Sequence, residues 1–238
     1  MNDQVKNNEA AEDLAQKYEA VFQKLVDHYG CPQWEQHLPP VDELVSTILS
    51  QATSDTNRDR GYNALVERYP DWRAVVNAPE EEVVEAIRPA GLANQKGPRI
   101  QAALRTIDEQ RGAIELDFLQ NMPLEEARAW LTMINGVGPK TAAIIVLFSF
   151  NKPVFPVDTH VLRISKRLGL IGPGVTANKA HDLLADMGHP ETFYPFHINL
   201  IRHGRQICVA RNPRCSICPL QTDCDYYQTQ AGSDLEPK

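Results

Sequence analysis

The chain reads as an all-α protein, and three observations predict it. Apolar residues recur at helical spacing through most of the 238 residues. No alternating apolar–polar pattern runs longer than a few residues, and no internal repeat is visible. Between two helical segments lies a glycine pair, Gly136 and Gly138, separated by one valine. Two glycines so spaced make a hairpin too tight for a regular helix, so the central unit is helix, glycine hairpin, helix.

The elements follow in order. Leu14, Tyr18, Val21, Phe22, Leu25, Val26 and Tyr29 share one face of a first helix ended by Gly30. Pro39 and Pro40 break the chain, and Leu44, Val45, Ile48 and Leu49 mark a second helix. Asp55 is the expected N-cap of a third, with Tyr62, Leu65, Val66 and Tyr69 inward and Pro70 after it. Short helices are expected at Trp72 to Asn77 and Pro79 to Ile87, and a longer one at Gln95 to Gln110 with Gly97 and Pro98 in its first turn. Pro123 opens the helix before the hairpin, and the apolar run from Ala142 to Phe148 reads as a buried helix after it. Pro153 and Pro156 mark a boundary near Asn151 to Pro153. Helices then follow at about Thr159 to Leu168, Thr176 to Met187 and Glu191 to His203. The polar stretch from Thr229 is expected to be disordered.

Composition narrows the class. Hydrophobic residues at 42% and charged residues at 23% are ordinary for a soluble protein, and no apolar run approaches a membrane span of about 20 residues. Met1 to Asp13 is polar and acidic, unlike a secretory signal or a transit peptide, so a cytoplasmic, nucleoid-associated location is expected. The net charge of −7 argues against a nucleic-acid partner, but its distribution does not. From Gly136 to Arg214 there are ten basic side chains against four acidic ones. A basic face on an acidic body can bind DNA and stay soluble; charges scattered over solvated helix faces are the plainer alternative.

Two stretches carry chemistry. In Gly136-Val137-Gly138-Pro139-Lys140-Thr141 the hairpin amides and the following helix N-terminus make a place for a phosphate. Lys140 at that helix start is then a phosphate ligand or a nucleophile; an αα-hairpin with a surface lysine is the bland reading. Cys208, Cys215, Cys218 and Cys224 follow a C-x6-C-x2-C-x5-C spacing. In a cytosolic protein this favours a metal over disulfides. Structural zinc usually uses two matched short knuckles, and here there is one. Four thiolates along one loop suit a [4Fe–4S] cluster, with zinc or unligated thiols as the alternatives. Arg211 and Arg214 lie in the first cysteine interval, on a short tether suited to holding guanidinium groups towards phosphates. Cys31 stands apart and is assigned no function.

Together these stretches resemble the endonuclease III family of helix–hairpin–helix DNA glycosylases. The resemblance runs from about Leu44 to Tyr226. It includes Ile48-Leu49-Ser50-Gln51-Ala52-Thr53-Ser54-Asp55, Gly91-Leu92 with Lys96, the hairpin, Val157-Asp158-Thr159-His160, and His203-Gly204-Arg205 before the cysteines. It implies a two-domain helical fold with DNA in a cleft. One domain, a helical barrel over 34–152, ends in the hairpin unit; the other joins 9–33 to 153–227 and holds the iron–sulfur loop. Residues 1–8 and 228–238 are expected to be disordered tails. It also implies excision of oxidised pyrimidines from duplex DNA with nicking of the abasic strand, and the chain is expected to act as a monomer. Damaged bases must leave the stack to be reached.

The residues carry that reading as follows. A lysine amine attacks a sugar carbon only when neutral, and a helix N-terminus and burial both favour the neutral form; Lys140 is expected to have both. Asp158 would stabilise the cationic sugar or move protons, and equally would cap the helix at Thr159. His160 would touch a phosphate or the base, or be simply a helix-start histidine. The family's glutamine wedge, which fills the hole of the flipped base, falls here on Ala52, with Gln51 one residue earlier; either Gln51 reaches the DNA by a small shift or the hole is filled otherwise. Leu92 matches the apolar wedge of the opposite strand. Asn135 and Pro139 also depart from the family pattern. A monofunctional mismatch glycosylase and a non-catalytic iron–sulfur DNA-binding protein are the alternative functions.

Overall fold

The computed structural model describes residues 2–233, with side chains from 9 to 229. It contains twelve α-helices and no strand among the described residues. Two compact units divide the chain: residues 35–151, and residues up to Trp34 together with those from Lys152 onward. No described helix is long and apolar enough to cross a membrane.

Residues 35–151 form seven helices. They are α2 (Pro40–Leu49), α3 (Asp55–Arg68), α4 (Trp72–Asn77), α5 (Glu80–Ala86), α6 (Ala93–Arg111), α7 (Leu124–Thr132) and α8 (Pro139–Phe150). α8 is the centre. Thr141, Ala142, Ala143, Ile145, Val146, Leu147, Ser149 and Phe150 are all buried, as a helix apolar on nearly every side must be. It packs against α2 and α7, and α6 packs against α2, α4 and α5. Three expectations are corrected here. The cap of α3 is Ser54, whose hydroxyl accepts from the Asn57 amide at 3.3 Å; Asp55 is already helical. Val66 is 43% exposed, because the buried line of α3 runs through Gly61 and Leu65 and Val66 lies beside it. α6 starts at Ala93, so Pro98 sits in its second turn, where it forgoes one intrahelical bond.

The other unit closes the N-terminal helix onto the C-terminal ones. α1 (Asn2–Tyr29) packs on α10 (Ala177–Met187) and α11 (Pro190–Gln206), while α9 (Thr159–Leu168) packs on α11 and on α12 (Asp225–Ser233). Where tails were expected to be disordered, helix runs from Asn2 and to Ser233, since nothing between Asn2 and Tyr29 stops it before Gly30. The same expectation for Met1 and residues 234–238 lies outside the described residues. The aromatic core explains the joining of distant segments. Tyr18 meets Phe196 edge to face at 4.6 Å, and Phe155 meets Phe193 and Phe196 at 5.6 and 5.7 Å. The Tyr18 hydroxyl, buried, is paired with the Thr192 hydroxyl at 2.9 Å. Asn199 donates to the Gly30 carbonyl at 2.8 Å and fixes the end of α1.

Gly188 lies against the Tyr18 ring, and a Cβ there would come within 2.6 Å of Tyr18 Cε1 and nearer still to Cζ. Because Tyr18 is fully buried and held by Thr192, it cannot swing away. Gly188→Ala should therefore destabilise the chain by about 1–3 kcal/mol, the usual cost of overpacking. Thermal unfolding checks this; an unchanged midpoint would mean that the ring is free to move.

Candidate active site and cysteine centre

The hairpin joins α7 to α8. Ile134 and Val137 are buried anchors, and the Val137 amide donates to the Ile134 carbonyl at 3.0 Å. The two glycines do different things. Gly136 has φ 88, which an L side chain resists, and the Arg99 side chain lies across its bare Cα. Gly138 has ordinary extended backbone, and a Cβ there would meet nothing within 4 Å. Gly138 is the N-cap residue of α8 and supplies no side-chain cap, so the first amides of α8 have no side-chain oxygen from that position.

Lys140 follows one residue after Pro139 in the first turn of α8 and is exposed. Its expected burial is thus not found in the free chain. The turn is at the surface, and the buried face of α8 begins at Thr141.

Asp158 is the N-cap of α9. Its Oδ1 accepts from the Val161 amide at 2.7 Å, and the side chain is half-buried. The capping role is therefore real, whatever else the carboxylate does. His160, two residues on, is half-buried beside the bare Cα of Gly204, where a Cβ would lie 2.6 Å from its Nδ1. That nitrogen also lies 3.1 Å from Arg163 Nη2 and, since a guanidinium only donates, accepts from it. Burial pushes the His160 pKa down, and Arg163 and Arg205 add to this. Lys140 belongs to residues 35–151 and Asp158 to the other unit.

Gln51 and Leu92 both lie at surface turns. Gln51 Oε1 accepts from Arg99 Nη1 at 2.8 Å. Ala52 is exposed with φ 51, and Leu92 is 50% exposed with φ 49, so each is a left-handed corner. Behind them, Lys96 is buried and donates to the Leu49 and Ala90 carbonyls, each at 2.8 Å. Burial pushes its pKa down. Sequence reading missed Arg99 altogether, and noted Lys96 without its role. The signal for Lys96 was a lysine at the helical spacing of Ile100, Ala103 and Leu104, a line that is otherwise apolar.

All four cysteines of the C-terminal loop line one hollow, floored by Ile164, Leu168 and Leu220. None is in a disulfide. Among the described residues no three of His, Cys, Asp or Glu converge as they would on a single metal ion. Burial pushes the Cys218 thiol up to about 11, the other three sulfurs adding to it, and also pushes Cys224 up. Only a strong positive charge in the hollow would keep such a set ionised. His203 is buried with a pKa near 4, hence neutral, and its Nε2 lies 3.6 Å from Cys218 Sγ.

Two arginines of α9, unforeseen, hold the loop. Arg163 donates to the Cys208 and Gly204 carbonyls at 2.9 and 3.0 Å. Arg167 donates to Cys208 Sγ at 3.2 Å and to the Val209 and Ala210 carbonyls at 2.8 and 3.0 Å, with its guanidinium over the Tyr226 ring. Arg211 and Arg214, just beyond these pinned carbonyls, are exposed.

Comparison with known proteins completes the description. Residues 45–188 match the HhH-GPD superfamily of base excision DNA repair proteins, and residues 208–224 match the iron–sulfur binding domain of endonuclease III. Endonuclease III of Thermotoga maritima is 31% identical over 86% of this chain and 91% of its own. Among solved structures, a non-covalent endonuclease III–DNA complex is similar with a TM-score of 0.80 at 27% identity, covering 92% of this chain and 98% of that one. A trapped endonuclease III–DNA covalent intermediate is similar with a TM-score of 0.77 at 27% identity, covering 91% and 98%. With its hairpin, its helix-capping Asp158 and its four-cysteine loop all within these matches, the chain belongs to the endonuclease III family of the HhH-GPD superfamily.

Proposed function

We propose that this chain is a DNA glycosylase for oxidised pyrimidines in duplex DNA that also cleaves the abasic strand through a lysine Schiff base. The observation that carries the reading is Lys140 itself, exposed in the first turn of α8 two residues after the open backbone of Gly138. A phosphate can approach that backbone, and the amine can reach the sugar attached to it.

The Lys140 nitrogen attacks C1′, and the C1′–N bond to the base breaks with its electron pair leaving on the base, which takes up a proton. The amine loses one proton, the C1′–O4′ bond breaks with O4′ taking up a proton, and the protonated C1′=N Schiff base forms in the opened sugar. Loss of a C2′ proton then expels the 3′ phosphate by β-elimination. Asp158 stabilises the cationic sugar or carries these protons. As Lys140 is solvated in the free chain, the bound nucleotide itself has to exclude water from the amine. Leu92, half-exposed on its corner, fits an apolar insertion into the opposite strand.

Cys208, Cys215, Cys218 and Cys224, which line one hollow, fit a [4Fe–4S] cluster rather than zinc, because their spacing holds one short knuckle and not zinc's usual matched pair. Such a cluster supplies four iron–thiolate bonds that close the loop. This chain's own contribution is to hold Arg211 and Arg214 at the loop surface, where they meet phosphates with little ordering to lose.

Lys140→Ala should abolish excision and nicking on a duplex carrying an oxidised pyrimidine, while duplex affinity changes by less than about tenfold. Borohydride trapping on abasic DNA checks it: a trapped complex in the variant would remove Lys140 as the nucleophile, and no trapping in the wild type would leave a monofunctional enzyme or a binding protein. For Asp158→Asn the melting temperature should hold, since asparagine also caps helices well. Its single-turnover rate should fall by at least about 100-fold. A lower melting temperature with an intact rate would restrict Asp158 to its cap. Purified without oxygen, the chain should be yellow-brown with about four irons; colourless protein with one zinc would refute the cluster assignment.

A further inference from the structure

Gln51 has a neighbour that fixes which way its amide points. Arg99 Nη1 lies 2.8 Å from Gln51 Oε1, both side chains half-buried. A guanidinium has donors and no acceptor, so the amide oxygen must face Arg99 and the amide NH2 must face away from it. Arg99 is itself held at its stem, which lies across the bare Cα of Gly136. One turn earlier on α6, Lys96 pins the Leu49 carbonyl, two residues before Gln51. The backbone leading to Gln51 is thus fixed by one cation and its side chain by another. Ala52 then turns the chain away in a left-handed corner and offers only a methyl group.

We infer that Arg99 is a positioning residue that sets opposite-base specificity, by locking the Gln51 amide so that it presents N–H donors to the base left unpaired. This rests on the base-excision reading, in which a flipped nucleotide leaves such a base behind. An untethered glutamine can rotate its amide and offer oxygen or nitrogen, and so tolerates any pairing edge. The locked amide, with further guanidinium N–H groups beside it, offers donors alone. Adenine, one of the two bases that stand opposite a pyrimidine, turns an acceptor, N1, to the centre of its pairing edge and is then matched. Guanine, with two donors and one acceptor on that edge, is opposed.

The test uses the full chain and duplexes carrying a tetrahydrofuran abasic analogue opposite each of the four bases, with an undamaged duplex as control. Arg99→Met is the informative variant, because it keeps an aliphatic stem over Gly136 and removes the donors; Arg99→Lys keeps a donor and should rescue. Wild type should bind the adenine-opposed site more tightly than the guanine-opposed one by about fivefold, the worth of one hydrogen bond. Arg99→Met should bring the two together. Gln51→Ala should do the same, and the double variant should add nothing further, since Arg99 then has no amide to orient. A spread that persists in Arg99→Met, or additive effects of the two substitutions, would overturn the inference while leaving base excision intact. Wild type binding the abasic duplexes no better than the undamaged one would remove the base-excision reading and this inference with it.

Discussion

One buried cation organises the surface turns of residues 35–151. Lys96 has no carboxylate within its set of bonds; its ammonium is held by the Leu49 carbonyl at the end of α2 and by Ala90 at the end of the short turn before Gly91. Both carbonyls belong to helix ends, where backbone oxygens lack intrahelical partners and the dipole favours a positive charge. The arrangement costs desolvation, which is why burial lowers the pKa of Lys96. In return it fixes, from one point, the two chain ends that lead to Gln51 and to Leu92. An apolar side chain of the same length would leave two buried carbonyls unpaired, each at a cost of about 1–3 kcal/mol.

α9 plays the corresponding part in the other unit. Its first turn is capped by Asp158, and its next two turns carry Arg163 and Arg167, which grip the carbonyls of Gly204, Cys208, Val209 and Ala210. One rigid helix therefore sets the position of the Asp158 carboxylate and of the first cysteine. The carboxylate is half-buried and already spends one lone pair on Val161, which fixes its rotamer. Capping and the proposed chemistry are compatible for this residue: the cap orients the group that the proposed reaction would use. His160 is absorbed by the same packing. Its neutral ring, seated on Gly204 and accepting from Arg163, helps hold α9 to α11.

Local signals made the helices readable. Proline, glycine and capping residues placed α4 and α9 at their observed bounds, and the uniform apolar run placed α8 at the centre. Asp158 as a cap was legible because the pattern is confined to four residues. What was not legible depends on contacts between distant segments. Nothing near Arg99 in the chain says that it reaches Gln51, 48 residues away, or that it covers Gly136. Arg163 and Arg167 looked like part of a basic patch, yet they are spent on carbonyls and a thiol, so the net basic stretch overstates the charge free for DNA. Arg211 and Arg214 differ from them only in the accident of exposure, which composition cannot reveal. The burial expected of Lys140 failed for a similar reason: the apolar run that buries α8 starts one residue too late to cover it.

The hairpin glycines show how a fold requirement and a functional one can be separated. Gly136 is needed by the chain itself, because its left-handed backbone and the Arg99 stem both exclude a side chain. Gly138 is not. Its backbone suits any residue, and a Cβ would meet no described atom of the protein within 4 Å. A glycine there also forgoes the side-chain cap that Ser54, Asp71, Asp158 and Thr176 give to their own helices. Since glycine is itself a fair N-cap, the fold alone would do better with serine or aspartate at this position by only roughly a few tenths of a kcal/mol. What the bare position provides is unobstructed access to the amides that open α8. Those amides and Lys140 stand together in the first turn of α8, as the proposed phosphate contact requires. Of the two hairpin glycines, Gly136 is thus the one that the described fold itself requires, while the bare Gly138 leaves the start of α8 open beside Lys140.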